Sequence, residues 1–273
     1  MTPTLEVDKV RIAFGGITAV DDVSFDLSGQ ELVALIGPNG AGKTALLNSI
    51  SGIYRPAGGE VRLEGRSLRG VPVHRIAAAG IGRAFQHAEL FAGLTVVDNL
   101  MVGRHRQLNG NLLSMAVRLG PYLRREVAQR AVVEEVIDFF ELERVRNTQV
   151  SSLPFGVQKL VGVARALCME PRVLLLDEPS SGLTRQEKED FARFMLRIRH
   201  DRGLPMLWVE HDMQMVMDLA DRIVVLDHGV KIADGAPEAV AEDPAVRAAY
   251  LGVAEHDTAE DTAQDTAAAG SRG

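Results

Sequence analysis

The run Gly37-Pro38-Asn39-Gly40-Ala41-Gly42-Lys43-Thr44 carries more chemistry than any other stretch of this chain. Glycines at this spacing let successive backbone N–H groups turn inward around phosphate oxygens, at the start of a helix whose dipole favours anions. In that pattern the lysine, Lys43, neutralises the β and γ phosphates, and the hydroxyl of Thr44 ligates Mg²⁺. At the chain's own Gly, Lys and Ser/Thr frequencies the pattern arises by chance in on the order of one shuffled chain in three hundred. Its context fits as well. Leu32 to Ile36 reads as a strand feeding the loop, and Ala45-Leu46-Leu47-Asn48 as the helix leaving it. A second element ends in two carboxylates: Val173-Leu174-Leu175-Leu176-Asp177-Glu178. A buried strand of this kind can hold Asp177 near Mg²⁺ while Glu178 faces a water in line with the γ-phosphate. Adjacent carboxylates at a strand end also suit a solvated turn or a helix cap, so this reading leans on the loop.

Both sites need elements to hold them. From residue 1 to about 85, short β-branched runs bounded by Gly and Asp predict strands: LEVDKVRIAF, AVDDVSFDL, ELVALIG and EVRLEG, with one helix from Thr44 to about Ser51. From about 88 to 170 the period turns helical, as in REVAQRAVVEEVIDFFEL and VQKLVGVARALCM, which predicts a helical subdomain. From 172 onward VLLLDE, PMLWVEH and RIVVLDHG alternate with the helical runs QEKEDFARFMLRIRH and MQMVMDLA. That alternation predicts an α/β fold with a parallel sheet. His211 closes one of those strand runs, 34 residues after Asp177, and would return to the same sheet edge, where such folds place ligands. The tail repeats a DTA unit without large apolar side chains, which predicts disorder over 254–273 and an ordered domain over 1–253.

Length and composition narrow the classes. A chain of 273 residues can bury a full core without disulfides or metals. With 46% hydrophobic and 25% charged residues and a mean hydropathy of +0.03, it falls with ordinary soluble globular proteins. No apolar stretch approaches the roughly 18 residues of a membrane helix. The opening MTPTLEVDKV lacks the basic and apolar regions of a secretion signal. The one cysteine, Cys168, suits a reducing compartment. Of the net charge of -7, residues 254–273 hold five carboxylates against Arg272, a net of -4, which leaves -3 for the body. A near-neutral body argues against a nucleic-acid partner. The densest basic cluster, Arg104, Arg106, Arg118, Arg124, Arg125 and Arg130, reads as a solvated helical face.

The order Phe14, GPNGAGKT, Gln86, LPFGVQ at 153–158, LLLDEP, SSGL and His211 resembles the ATPase subunit of ABC transporters over residues 5–252. Through FGGITAVDDVSF, RAFQHAELFAGLTVVDNLMVGRH and DHGVKIADGAPEAVAEDPAVRAAYLG it is most similar to the larger ATPase subunit of branched-chain amino-acid importers. Importers of urea and short amides use similar subunits. The resemblance implies a P-loop NTPase (RecA-like) core with an antiparallel β subdomain and an inserted α-helical subdomain, using ATP and Mg²⁺. It implies that Phe14 stacks on adenine, as a flat apolar ring can. Gly37, Pro38, Asn39, Gly40, Ala41, Gly42, Lys43, Thr44 and Ala45 would hold the phosphates. The metal would be met by Thr44, Asp177 and Gln86, whose amide both donates and accepts. Glu178 would be the base, with Gln86 and His211 assisting it. Leu153, Pro154, Phe155, Gly156, Val157 and Gln158 would contact the ATP of a partner subunit. The implied partners are a second ATPase chain, two transmembrane permease subunits and, indirectly, an extracytoplasmic solute-binding protein. The implied location is the cytoplasmic face of the membrane.

The family's segment at 153–158 is LSGGQ, and here Pro154, Phe155 and Val157 depart from it. The first two departures are common in the branched-chain group and the third is not. Backbone N–H groups of a helix start can still face a phosphate, but a hydroxyl and an amide side chain are missing. A weakened trans site and a partner of a different sequence are therefore expected. Ala45 replaces a second Thr or Ser, and Thr184 an Asp or Asn. A P-loop GTPase or small-molecule kinase is disfavoured, because no NKxD motif exists and 153–158 would go unexplained. A non-transport member is disfavoured by the lack of a long coiled coil or a second ATPase unit, and export stays open. Residues 86–104 could meet the membrane subunit, their apolar members Leu90, Phe91, Leu94, Val96 and Val97 being either that surface or subdomain core.

Overall fold

A computed structural model describes residues 3–85, 89–107 and 121–250. Ten strands and eight helices are followed here: β1 (Leu5–Phe14), β2 (Ile17–Leu27), β3 (Leu32–Ile36), α1 (Lys43–Ile50), β4 (Gly58–Leu63), β5 (Arg66–Ser67), α2 (Val73–Ala79), β6 (Ile81–Ala84), α3 (Val96–Gly103), α4 (Pro121–Phe139), α5 (Phe155–Leu167), β7 (Val173–Asp177), α6 (Arg185–Arg202), β8 (Met206–Val209), α7 (Met213–Leu219), β9 (Arg222–Asp227), β10 (Val230–Gly235) and α8 (Pro237–Glu242). The strands form a four-stranded antiparallel sheet, β2-β1-β4-β5, and a six-stranded sheet, β10-β9-β3-β8-β7-β6. The larger sheet is parallel from β9 through β6. Strand β10 pairs antiparallel with β9, so the sheet is mixed where alternation alone predicts a parallel one. The hairpin turn at His228-Gly229 explains this, since its two positive-φ residues send the chain straight back.

Helices cover one face of the large sheet and the small sheet with α1 covers the other. Leu174 and Leu176 of β7 join the core under α3, α4, α5 and α6, while Val173 and Leu175 join the core under the antiparallel sheet. Burial on both faces is why these strands read as unbroken apolar runs rather than alternations. Helices α7 and α8 close a third cluster with Ala34, Ile36, Ile223 and Val225. Among the described residues no helix is long and apolar enough to cross a membrane.

The basic cluster does not form one solvated face. Arg104 is buried, and its guanidinium donates to the carbonyl of Cys168 at 2.6 Å and to Glu170 and Gln129. Through its Nε and Nη1 this arginine holds α3 to the end of α5, whereas Arg130 pairs at the surface with Glu126. Arg118 lies outside the described residues, as does the tail 254–273. Of the apolar residues between 86 and 104, Val96 is fully buried, Leu90 and Val97 pack against the helical core, and Phe91 and Leu94 are exposed.

Candidate functional site

Strand register brings the chemistry to one edge. Leu35 of β3 and Asp177 of β7 both pair with Val209 of β8, so the three strands end at the same level. Whatever follows them must meet there: the loop Gly37–Gly42 after β3, Glu178 after β7, and Glu210-His211 after β8. An open cleft of about 300 Å³ is lined by Ala19, the run Asn39 to Ala45, Glu178 and His211. Three segments far apart in sequence are thus assembled by sheet pairing alone.

The loop's shape depends on two of its glycines. Gly37 and Gly42 have φ of +149° and +97°, and a Cβ on either would run into backbone, the carbonyl of Leu226 for Gly37 and that of Ala19 for Gly42. Lys43 is buried and its Nζ donates to the carbonyls of Gly37 (2.7 Å) and Pro38 (2.9 Å). Burial pulls its ammonium below the usual lysine range, and the Glu178 charge opposes that shift. Across the cleft, Oε1 of Glu178 lies 2.5 Å from Nε2 of His211. Glu178 sits at φ +44°, a left-handed conformation that costs a non-glycine residue about 1 kcal/mol or more. Its N–H donates to the carbonyl of Val209, so the neighbouring strand holds it there.

The other residues expected at the site are placed apart from this cleft or beyond description. Phe14, at the end of β1, is half exposed and meets Tyr54 edge-on at 5.0 Å, outside the cleft lining. Gln86 lies outside the described residues, two positions past the end of β6. Segment 153–158 is also away from the cleft. Leu153 is buried, Pro154 is the N-cap of α5 and Phe155 is exposed. Val157 packs against the helical core, which accounts for an apolar residue there, and the Gln158 amide turns back onto the Leu153 carbonyl at 2.9 Å. The start of α5 lies against Glu187, whose carboxylate a Cβ on Gly156 would strike. Hydrogen bonds from Thr184, backbone and hydroxyl, and then from the Gly156 amide hold the Glu187 carboxyl below the usual range. Thr184 and Glu187 together make the capping box that starts α6, so the threonine serves as a helix cap.

Two buried residues behind the cleft were not singled out from the sequence. Glu210 is almost fully buried and accepts four hydrogen bonds: from Ser180 Oγ (2.7 Å) and Trp208 Nε1 (3.2 Å) on Oε2, and from the backbone N–H of His211 (2.8 Å) and Asp212 (3.3 Å) on Oε1. Lys159, on α5, is buried near Glu210, Glu178 and Asp177, and its Nζ lies 3.4 Å from the carbonyl of Glu178. Burial lowers its pKa while those three carboxylates raise it. A charged residue directly after an apolar strand run, and a lysine inside a helix whose other face is apolar, were the available signals.

Residues 20–181 match the family model described as ABC transporter, and residues 230–256 match that described as branched-chain amino acid ATP-binding cassette transporter. The chain is 38% identical over 252 residues to the high-affinity branched-chain amino acid transport ATP-binding protein BraF of Pseudomonas aeruginosa, covering 92% of this chain and 99% of that one. It is 39% identical over 255 residues to the LivG protein of the same description from Escherichia coli K12, with the same coverage. Among solved structures it is similar to the ADP conformation of MJ1267, an ATP-binding cassette of an ABC transporter. That match has a TM-score of 0.80 and 26% identity, over 92% of this chain and all of the other. A nucleotide-free ATP-binding cassette superposes with a TM-score of 0.79 at 26% identity, over 91% and 98%.

Proposed function

The chain belongs to the ATP-binding subunits of ABC transporters, and from that premise we propose that it drives import of branched-chain amino acids by hydrolysing ATP in the cleft between Lys43 and Glu178. The observation that carries the catalytic reading is the convergence of the loop, Glu178 and His211 at one sheet edge, with the two side chains in contact. Glu178 is the base for the attacking water and His211 orients that water and the γ-phosphate. The backbone of Gly37 to Gly42, with Lys43, Thr44 and Ala45, cradles the phosphates, Phe14 offers its exposed ring to the base, and Gln86 meets the metal and the water. The solute assignment is supported by the match over 230–256 and by the names of the relatives.

The residues present fit Mg²⁺. Thr44 and Asp177 are hard oxygen donors, and no group of three or more His, Cys, Asp or Glu among the described residues could hold a metal alone. A site that takes the rest of its ligands from phosphates and water is what Mg²⁺ prefers. Bound there, Mg²⁺ would neutralise phosphate charge. The start of α5, exposed at Phe155 and absent from the lining of its own cleft, fits contact with a nucleotide held by a second ATPase chain, and the departures at Pro154, Phe155 and Val157 favour a partner of different sequence. Exposed Phe91 and Leu94 fit contact with one of two permease subunits, which would place the chain on the inner membrane face with a solute-binding protein acting indirectly.

Glu178→Gln tests the reading. Turnover with a competent partner should fall by about 10²–10⁴-fold while ATP stays bound, and persistent full turnover would remove Glu178 as the base. The mass of this variant in solution, with and without ATP at several concentrations, tests the partner. An ATP-bound monomer supports a different second chain; an ATP-dependent homodimer shows that Pro154, Phe155 and Val157 still make a working trans site. Loss of leucine uptake on deleting the chain supports the solute, and loss of urea or acetamide uptake alone replaces it.

A further inference from the structure

Arg83 sits on β6, three residues before Gln86, and it is almost fully buried, as is the carboxylate it faces. Its Nη2 donates to Oδ2 of Asp177 at 2.7 Å, and its Nη1 donates to Oδ1 of Asn48 at 2.7 Å and to Oγ of Ser51 at 2.8 Å. The Phe85 ring covers the guanidinium, 4.6 Å from its carbon. Asn48 lies on α1 and Ser51 is its C-cap, on the helix whose first two residues are Lys43 and Thr44. One planar group thus ties together the strand ending in Asp177, the helix carrying Thr44 and the strand leading to Gln86. Among the described residues, Arg83 is the hydrogen-bond partner of the Asp177 carboxylate.

A counter-ion would need only the bond to Asp177. Two of the three bonds go instead to neutral groups on α1, which add nothing to charge balance and fix the fork in one orientation. A held fork takes one carboxylate oxygen and sets the rotamer of the other. Carboxylates that face metals are commonly oriented by such outer hydrogen bonds. We propose that Arg83 is a positioning residue for the metal–nucleotide site: it locks Asp177 in register with Thr44 through Asn48 and Ser51. This rests on the reading of Asp177 as a metal-facing group.

The test uses the full chain in a Glu178→Gln background, with Mn²⁺ as the probe. ATP affinity is measured in EDTA and in Mn²⁺, and the Mn²⁺ resonance line shape reports binding directly. For Arg83→Ala the metal-free affinity should stay within about twofold while the Mn²⁺ enhancement falls about tenfold. Arg83→Lys keeps the charge without the fork and should also lose enhancement. Asn48→Ala removes one anchor and should lose about threefold, which decides the matter if Arg83→Ala does not fold. Unchanged or stronger enhancement in Arg83→Lys and Asn48→Ala would overturn the inference, stronger binding meaning that Arg83 merely competes with the metal. Asp177→Asn separates the two levels. If it leaves the enhancement intact, the metal reading of Asp177 fails; if it abolishes enhancement and the Arg83 variants do not, only the Arg83 inference fails.

Discussion

Glu210→Gln is an isosteric change whose cost can be worked out from the bonds around it. Four donors converge on the carboxylate, two on each oxygen, so every acceptor position is in use. An amide offers one oxygen and one NH₂. Placing the NH₂ where Oε1 was would set it against two backbone N–H groups, so it goes where Oε2 was. There Ser180 can rotate and accept, because a hydroxyl does both, but the Trp208 indole N–H loses its acceptor. An unsatisfied buried donor costs about 1–3 kcal/mol, and turning the two remaining charge-assisted bonds into neutral ones costs about 1 kcal/mol each. Lys159 also loses a compensating charge. The total is about 3–5 kcal/mol, in the range for breaking a buried ion pair. At roughly 2–4 °C per kcal/mol for a chain of this size, the unfolding midpoint should drop by about 10 °C or somewhat more. The assay is built in: Trp208 is the only tryptophan and is fully buried, so its emission follows both unfolding and loss of the indole hydrogen bond. Because the preferred flip keeps an acceptor on the His211 N–H, hydrolysis should fall less than about tenfold. A midpoint within 2 °C of the parent would refute the reasoning, as would a collapse of hydrolysis at unchanged stability.

Gly42→Ala should destabilise more than Gly40→Ala, since both have positive φ but only at Gly42 would the new Cβ meet backbone. About 1 kcal/mol is expected at Gly40 and at least about 2–3 at Gly42, read from thermal midpoints, and equal costs would show that the loop yields freely. Burial lowers the Lys43 pKa, so folding disfavours its charged form below that pKa and the penalty lifts as pH rises toward the unfolded value of 10.5. Wild type should therefore gain stability relative to Lys43→Met as pH rises through the alkaline range toward 10.5, and a constant difference would contradict this. Cys168 is buried and its thiol is pushed up to about 12, so a thiol reagent at pH 8 should label the chain only after unfolding, which a mass shift under native conditions would disprove.

The frame of the site was legible because its elements carry strong local signals. An apolar run feeding a glycine loop leaves little freedom, and β3, β7 and β8 fall within a residue or two of the expected runs. The return of His211 to the edge that carries Glu178 follows from crossover topology, and the register of Asp177 and Leu35 against Val209 shows why. Strand β10 was illegible because VKIADG has a burial pattern of mostly intermediate positions and no alternation, so only its pairing with β9 defines it. Arg104 was misread because periodicity cannot distinguish an arginine facing water from a buried one bonded to Cys168, Glu170 and Gln129. The same blindness hid Arg83 and Glu210, whose roles depend on partners tens of residues away or on backbone donors.

The polar groups proposed to grip the γ-phosphate already have partners inside the chain. Lys43 is held by the carbonyls of Gly37 and Pro38, and His211 by Glu178. Lys43 is buried, and a buried donor must be satisfied, whereas the His211 ring is exposed and held by its contact with Glu178. In the proposed mechanism each bond has to be exchanged for one to phosphate or water, and the exchange at His211 is the one that frees Glu178 to take a proton. While Oε1 of Glu178 bonds the histidine, one of its two lone pairs is committed, and the exchange returns both to the attacking water. The exchange needs only side-chain rotation, since the backbone N–H of Glu178 is already bonded to the Val209 carbonyl and that of His211 to Oε1 of Glu210. The second oxygen of Glu210 holds Ser180 in the loop that leads to Thr184 and Glu187, and Glu187 lies against the start of α5. One buried carboxylate therefore links the residue proposed to sense the γ-phosphate to the segment proposed to meet a partner's nucleotide, which would give the two half-sites of such a dimer a physical route to answer one another.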